Sequence, residues 1–361
     1  GNVAIGYQAM YAEDDGDFCV AVGHQALEAQ AGTTGTVANT AVGYQAGAGL
    51  TSATGTTAIG YKAGGAATMT GVVNTLIGSM AGAAITSGAY NTIVGADAGD
   101  AITIGAQNIA LGNNALASET IGNRAVAVGA YALFSQVSDS DNEDTGNTAV
   151  GNAAGYYNVT GTNNTYLGRG AGLGATGNSN SNNTAVGKDA MLAITDGVAN
   201  VVVGVAAGDA MTSADYNTFI GYYAGSATVD ADRCVAIGNG AMESGNATSS
   251  ADGAIAIGDH ALDALTSGAG NTAAGYHAMI DIQEGYKNTA VGYKAFGGVL
   301  GTTADASHNN TFIGHNAGSA DWADVLSNYN TGVGAESMNA ALNGGSENTC
   351  VGYHSGGGLL A

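Results

Sequence analysis

The chain has 361 residues, of which 61 are Gly and none is Pro, with 7 Lys and Arg against 29 Asp and Glu for a formal net charge of −22. This composition excludes a collagen triple helix, which needs Pro and a strict three-residue Gly period. It also excludes recognition of a nucleic-acid backbone, which needs clustered Lys and Arg. No apolar run approaches the roughly 20 residues that span a bilayer, and no secretory leader is visible. A disordered linker is excluded too, because such segments are poor in β-branched residues, whereas Val, Ile and Thr recur here at fixed places.

The predicted elements are all of one kind, and they recur along the whole chain. The first reads Asn2-Val3-Ala4-Ile5-Gly6-Tyr7-Gln8-Ala9. An acidic stretch, Glu13-Asp14-Asp15-Gly16-Asp17, follows it. Next come a copy around Gly23, in which Cys19 takes the place of Asn, and Asn39-Thr40-Ala41-Val42-Gly43-Tyr44-Gln45-Ala46. Further copies centre on Gly60, Gly78, Gly95, Gly112 and Gly129, and after Gly129 comes the acidic insert Ser138-Asp139-Ser140-Asp141-Asn142-Glu143-Asp144-Thr145-Gly146. The series continues through Gly151, Gly168, Gly187, Gly204, Gly221, Gly238, Gly258 and Gly275 to Asn288-Thr289-Ala290-Val291-Gly292-Tyr293-Lys294-Ala295, then Gly314, Gly334 and Gly352. That is twenty copies at spacings of 17 to 22 residues, eleven of them 17. Both ends fall within the pattern, so residues 1–361 are expected to be one continuous array cut from a longer protein.

Around each central Gly the residue types are narrowly restricted. Position −1 is Val, Ile or Leu in nineteen copies, position −3 is Thr, Val or Ile in all twenty, and position −4 is Asn in fifteen. Position +3 is Ala in eighteen, and position +4 is either Gly or a large Leu, Met or Phe. Side chains alternate along a strand, so −3 and −1 share a face. Being β-branched or aliphatic, that face is expected to be the buried one. One repeat is too small to enclose its own apolar surface, whereas stacked repeats bury it continuously. The expected fold is all-β, a parallel β-solenoid of about twenty coils with two short strands per coil and turns between +4 and the next Asn. The Asn side chains should form a ladder along one corner.

The Asn, Thr, aliphatic, Gly core followed by Ala resembles the head repeats of trimeric autotransporter adhesins and the repeats of related phage tail fibres. The resemblance covers essentially the whole chain. It implies a left-handed parallel β-roll in an intertwined or side-by-side homotrimer, with small residues towards the threefold axis. The +3 Ala row, in preference to the −2 row, is then the expected chain-to-chain contact. The adhesin heads have shorter repeats, usually with Asn-Ser before the aliphatic pair, so the longer Thr-rich unit leans towards the phage type.

Several side-chain sets are candidates for binding. Tyr7, Tyr44, Tyr61, Tyr222, Tyr276, Tyr293 and Tyr353 share position +1 with His24 and His315. They form an aromatic stripe that could stack on sugars of a surface glycan, pack on a protein receptor, or pair coil to coil. Asp139, Asp141 and Asp144 of the acidic insert offer oxygens to a hard cation such as Ca2+, although the insert lacks an EF-hand's spacing and a solvated loop serves equally well. Cys19 and Cys234 occupy the same position twelve coils apart, or roughly 58 Å at the usual strand separation, and so cannot bridge. Free thiols are expected. No Ser/His/Asp constellation, phosphate loop or zinc spacing appears, so no catalytic residue and no cofactor is assigned.

The expected role is a structural and attachment fibre segment, extracellular on a virion or cell surface, with copies of itself as partners. A purely structural filament or matrix protein is the alternative. An ice- or mineral-binding array is disfavoured here because it would need the −3 Thr row to face outwards.

Overall fold

A computed structural model describes residues 1–13, 15–31, 35–66, 68–141, 143–298, 306–321, 325–340 and 344–358. Its contacts divide it into two compact units, Gly1–Asn182 and Asn183–Ala361. Each is a parallel β-solenoid. Among the described residues the first unit holds ten three-residue strands, from Val3–Ile5 to Thr165–Leu167, and the second holds ten more, from Thr184–Val186 to Thr349–Val351. Every such strand covers positions −3 to −1 of a repeat. Partners pair in the same register, as in Thr75↔Thr92, Leu76↔Ile93, Ile77↔Val94 in the first unit and Val201↔Thr218, Val202↔Phe219, Val203↔Ile220 in the second. A two-stranded pair, Gly16–Asp17 with Gly35–Thr36, lies outside the main sheet of the first unit. A complete 3-10 turn is described at Ser249–Ala251, and no described helix is long and apolar enough to cross a membrane.

Two sheet strands per coil were expected, but among the described residues each coil contributes one strand to the main sheet, with only the short pair at Gly16–Asp17 and Gly35–Thr36 beside it. The described remainder of a coil runs through turns whose backbone groups still bond to the coil beside them, as in Thr86 N–H to Thr103 O at 2.9 Å. Five backbone positions explain the path. The central Gly has φ between +126° and +147°, a region open in practice only to Gly. A Cβ on Gly78, for instance, would collide with the carbonyl oxygen of Gly95 in the next coil. Positions −5, +2 and +4 take the left-handed α conformation, with φ of 58°, 53° and 51° at Tyr216, Tyr223 and Leu262, and Asn, Gly and long unbranched residues are common there. Position −4 is fixed by its side chain. Asn91 Nδ2 donates to Gly105 O at 2.9 Å, and Asn91 Oδ1 accepts the N–H of Asn108 at 2.9 Å. Asn183, Asn200 and Asn217 repeat the scheme in the second unit. The expected Asn ladder is therefore present, and it satisfies buried backbone groups that no strand partner reaches.

The phase of the strands is the reverse of that expected. Position −2 is buried in every copy except Ala4 and Cys350, in the first and last strands, whereas no −3 or −1 residue is buried. Ala21, Leu76, Tyr166, Val202, Phe219 and Phe312, all at −2, have no exposed surface. Positions −4, +3 and +4 complete the interior. So does a residue at +7 that the loop-like sequence conceals, namely Leu50, Ile85 and Ile102 in one unit and Ile194, Met211 and Ile282 in the other. The +3 Ala row expected to line chain contacts is enclosed instead within the chain's own core, as at Ala46, Ala98 and Ala224.

Core volume is conserved by exchange between −2 and +4. All ten copies with Leu, Met or Phe at +4 carry Ala or Gly at −2. Every Leu, Ile, Val, Tyr or Phe at −2 is followed by Gly at +4. The coil is narrow enough that one large side chain fills it. Where both positions are small, a neighbour enters: a Cβ on Gly47 would lie 2.7 Å from Leu50 Cδ1. Cys19 and Cys234 replace Asn at −4 and are buried free thiols, and Cys350 at −2 is half-buried and also free.

Candidate functional site

The outward face of each unit's sheet is built from two columns. Position −3 presents β-branched residues, Thr in thirteen copies and Val or Ile in seven, and position −1 presents aliphatics. Leu167, Ile220 and Ile257 are exposed by 47%, 40% and 43%. The sequence placed this row in the core, and solvent exposure overturns that assignment. The physical reason is width, because the interior of a coil holds one large side chain, at −2 or at +4, and has no room for the two β-branched and aliphatic columns as well. Neither column contains a charged residue in any copy, so the face is neutral on a chain of net charge −22. The described carboxylates lie outside the strands of the main sheet. Asp215, Asp232 and Asp252 form one such row, in which Val198 N–H donates to Asp215 Oδ1, Asp215 N–H to Asp232 Oδ1 and Asp232 N–H to Asp252 Oδ1 at 2.7 to 2.9 Å.

The Tyr stripe divides into stacks. In the first unit Tyr7, His24, Tyr44 and Tyr61 follow one another at centroid distances of 5.1, 5.2 and 5.4 Å. In the second, Tyr276, Tyr293 and His315 follow at 5.1 and 5.2 Å. Coil spacing sets these distances, and the rings cover one another's faces while their edges remain exposed. Tyr222 and Tyr353 stand apart from both stacks: Tyr222 meets Tyr223 edge-on and Tyr353 meets His354. Sugar stacking on an open ring face is thereby restricted to stack ends and to these isolated rings. Lys62 and Lys294 lie over Tyr61 and Tyr293, 5.5 and 5.7 Å from the ring centres.

In the acidic insert Asp144 pairs with Arg124, and the Asp139 N–H donates to Glu143 Oε2 at 3.2 Å. Asn142 of the insert and Asp14 of the earlier acidic stretch lie outside the described residues. Among the described residues the metal-competent set whose ligand atoms lie within 4.8 Å of one another is a different one, Asp259, His260 and His277. His260 and His277 both occupy position +2, in adjacent coils, and Asp259 is at +1. A hydrogen bond with Asp259 is the main cause holding His260 above the ordinary imidazole range. Partial burial is the main cause lowering His277, with the charge on His260 adding to it. Asp259 is held below the usual carboxylate range by hydrogen bonds from His260 and then Asn239. No sequence motif marks this trio, and only the repeat register reveals that residues 17 apart are neighbours.

No family model matches the chain, and no curated protein matches it.

Proposed function

We propose that the chain is a segment of an extended extracellular fibre, and that copies associate through the outward sheet face. The observation carrying this reading is the pair of uncharged columns at −3 and −1, aliphatic and β-branched throughout, left in solvent by a fold that has a core elsewhere. A repeated exposed column of aliphatic side chains, flanked by uncharged β-branched ones, marks an association site. Its repetition from coil to coil suits another copy in parallel register, and its neutrality keeps the charges that make up −22 per chain away from the contact. A homotrimer of the adhesin-head and phage-fibre type is the assembly this reading favours, with the sheet face, not the +3 row, at the contact. In it the chain extends and presents a surface for attachment on a virion or cell. It performs no catalysis. Native mass spectrometry of the 361-residue chain tests the assembly, and a stable monomer at micromolar concentration would contradict it. Binding of the chain to immobilised surface glycans and to whole cells separates an attachment role from a purely structural filament.

A second reading gains from the outward Thr column, because the inward orientation that disfavoured an ice-binding array does not hold. Seven of the twenty −3 positions are nonetheless Val or Ile and lack a hydroxyl. Protein-to-protein packing accepts Thr, Val and Ile alike, whereas a hydroxyl-matched lattice does not, and this interruption favours association of chains.

A further inference from the structure

We infer that Asp259, His260 and His277 form a binding site for a borderline divalent metal ion of the zinc, copper or nickel class. Consecutive coils hold position +2 at a nearly constant separation, so two histidines there bring their rings to a centroid distance of 5.6 Å without any loop having to fold around the ion. Asp259 Oδ1 lies 2.7 Å from His260 Nδ1 and 3.7 Å from His277 Nε2. Ligand atoms around a tetrahedral ion with bonds of about 2.0 Å stand about 3.3 Å apart, so small side-chain rotations close the set. Two imidazoles and one carboxylate select borderline ions over Ca2+ or Mg2+, which prefer all-oxygen shells.

The surroundings orient the ligands. Asn239 Nδ2 donates to Asp259 Oδ2 at 2.9 Å, which turns Oδ1 towards the histidines. Tyr276 stacks on His277 at 3.8 Å and fixes its ring. Position +2 of the preceding coil is Gly240, whose missing side chain leaves space beside His260, since a Cβ there would sit 2.8 Å from Nε2. Glu243 approaches the same nitrogen at 3.5 Å. Its charge and those of Asp259 and Asp263 act on His260. On His277 the positive charge of Lys294, in the following coil, acts in the opposite sense, and its ammonium lies over the Tyr293 ring. All three ligands are partly exposed, so a fourth coordination position is left for water or an incoming donor.

The site rests on the fold of the second unit and not on the fibre reading. It is tested by calorimetric titration of the whole chain with Zn2+ in chloride buffer. The expected result is one ion per chain, with binding abolished or weakened by more than about tenfold in His260→Gln and in His277→Gln, weakened by about tenfold in Asn239→Ala, and unchanged in His354→Gln. Gln occupies position +2 at Gln8, Gln25 and Gln45 with the same left-handed backbone, φ 52° to 56°, so the Gln variants retain the fold. Absence of zinc binding by the wild type, equal binding by either His260 or His277 variant, or loss in His354→Gln would each overturn the site.

Discussion

Phe219 and Gly225 occupy the same space in the core: the ring of Phe219 lies where any side chain on Gly225 would have to go. The reverse arrangement is found at Ala256 and Leu262, where the small residue is at −2 and the large one at +4. Phe219→Ala is expected to cost about 3–5 kcal/mol through the cavity it leaves. Gly225→Leu should cost at least about 1–3 kcal/mol from overpacking. The double variant should recover most of the loss, because Leu262 shows that Leu accepts the left-handed backbone at +4, with φ 51°. A double-mutant cycle by urea unfolding measures the coupling, and additive losses would refute volume exchange.

The central Gly column predicts a steep contrast. Gly78→Ala places a Cβ against the Gly95 carbonyl at a φ of +138°, where there is no relief through side-chain rotation. It should cost about 3 kcal/mol or more. Gly253 also has positive φ, +73°, but a Cβ there meets nothing within 4 Å. Gly253→Asn should be tolerated within about 0.5 kcal/mol, as surface substitutions usually are, since Asn163 and Asn182 already fill that position with φ 58° and 60°. Thermal unfolding of the two variants checks the contrast.

The Asn ladder makes a local prediction. Asn91→Ala strands the N–H of Asn108 and the carbonyl of Gly105, both of which the Asn91 side chain satisfies. Each unsatisfied buried group costs about 1–3 kcal/mol. Because neighbouring coils carry most of each repeat's stability, the loss should appear first as faster amide exchange at Asn108 and its strand neighbours. Asn113→Ala, which removes an exposed bond to Ala96 O, should leave exchange rates unchanged.

Much of the fold was legible in residues 2–352 because Asn, aliphatic, Gly and Ala recur at fixed offsets, and these dictate stacking and register. The phase was not legible from apolarity alone, since Ile77 at −1 is as hydrophobic as Leu76 at −2. It could be read from pairing: Leu76, Ile93, Tyr166 and Phe219 each come with a Gly six residues later, which only a shared interior explains. Core residues such as Ile85 and Met211 were hidden by polar turn neighbours. The Tyr stripe was legible as a column, although Tyr222 and Tyr353 do not join the stacks. The Asp259, His260 and His277 trio shows no local spacing motif, since its members meet through coil stacking.

Cys234 links burial to chemistry. Burial is the main cause that pushes its thiol up to about 11, with backbone hydrogen bonds opposing. A raised thiol pKa means that folding stability from this group is complete below the unfolded value near 9 and is lost as pH rises from there through about 11. At pH 8 Cys234 should resist alkylation in the folded chain while the half-buried Cys350 reacts, and both should react in urea. Mass spectrometry of the alkylated peptides provides the check, and rapid labelling of Cys234 in the native state would contradict its placement.

The most direct measurement is the native mass of the wild-type chain beside that of Ile220→Asp combined with Val203→Asp. Both residues lie on the outward sheet face, half-buried or exposed, so two carboxylates there leave a folded single chain intact but charge its neutral surface. Association through the sheet face predicts a wild-type oligomer, a trimer in the adhesin-head arrangement, and a folded monomer for the double variant with unchanged β-sheet circular dichroism. A wild-type monomer, or a double variant that stays assembled, would contradict association through this face.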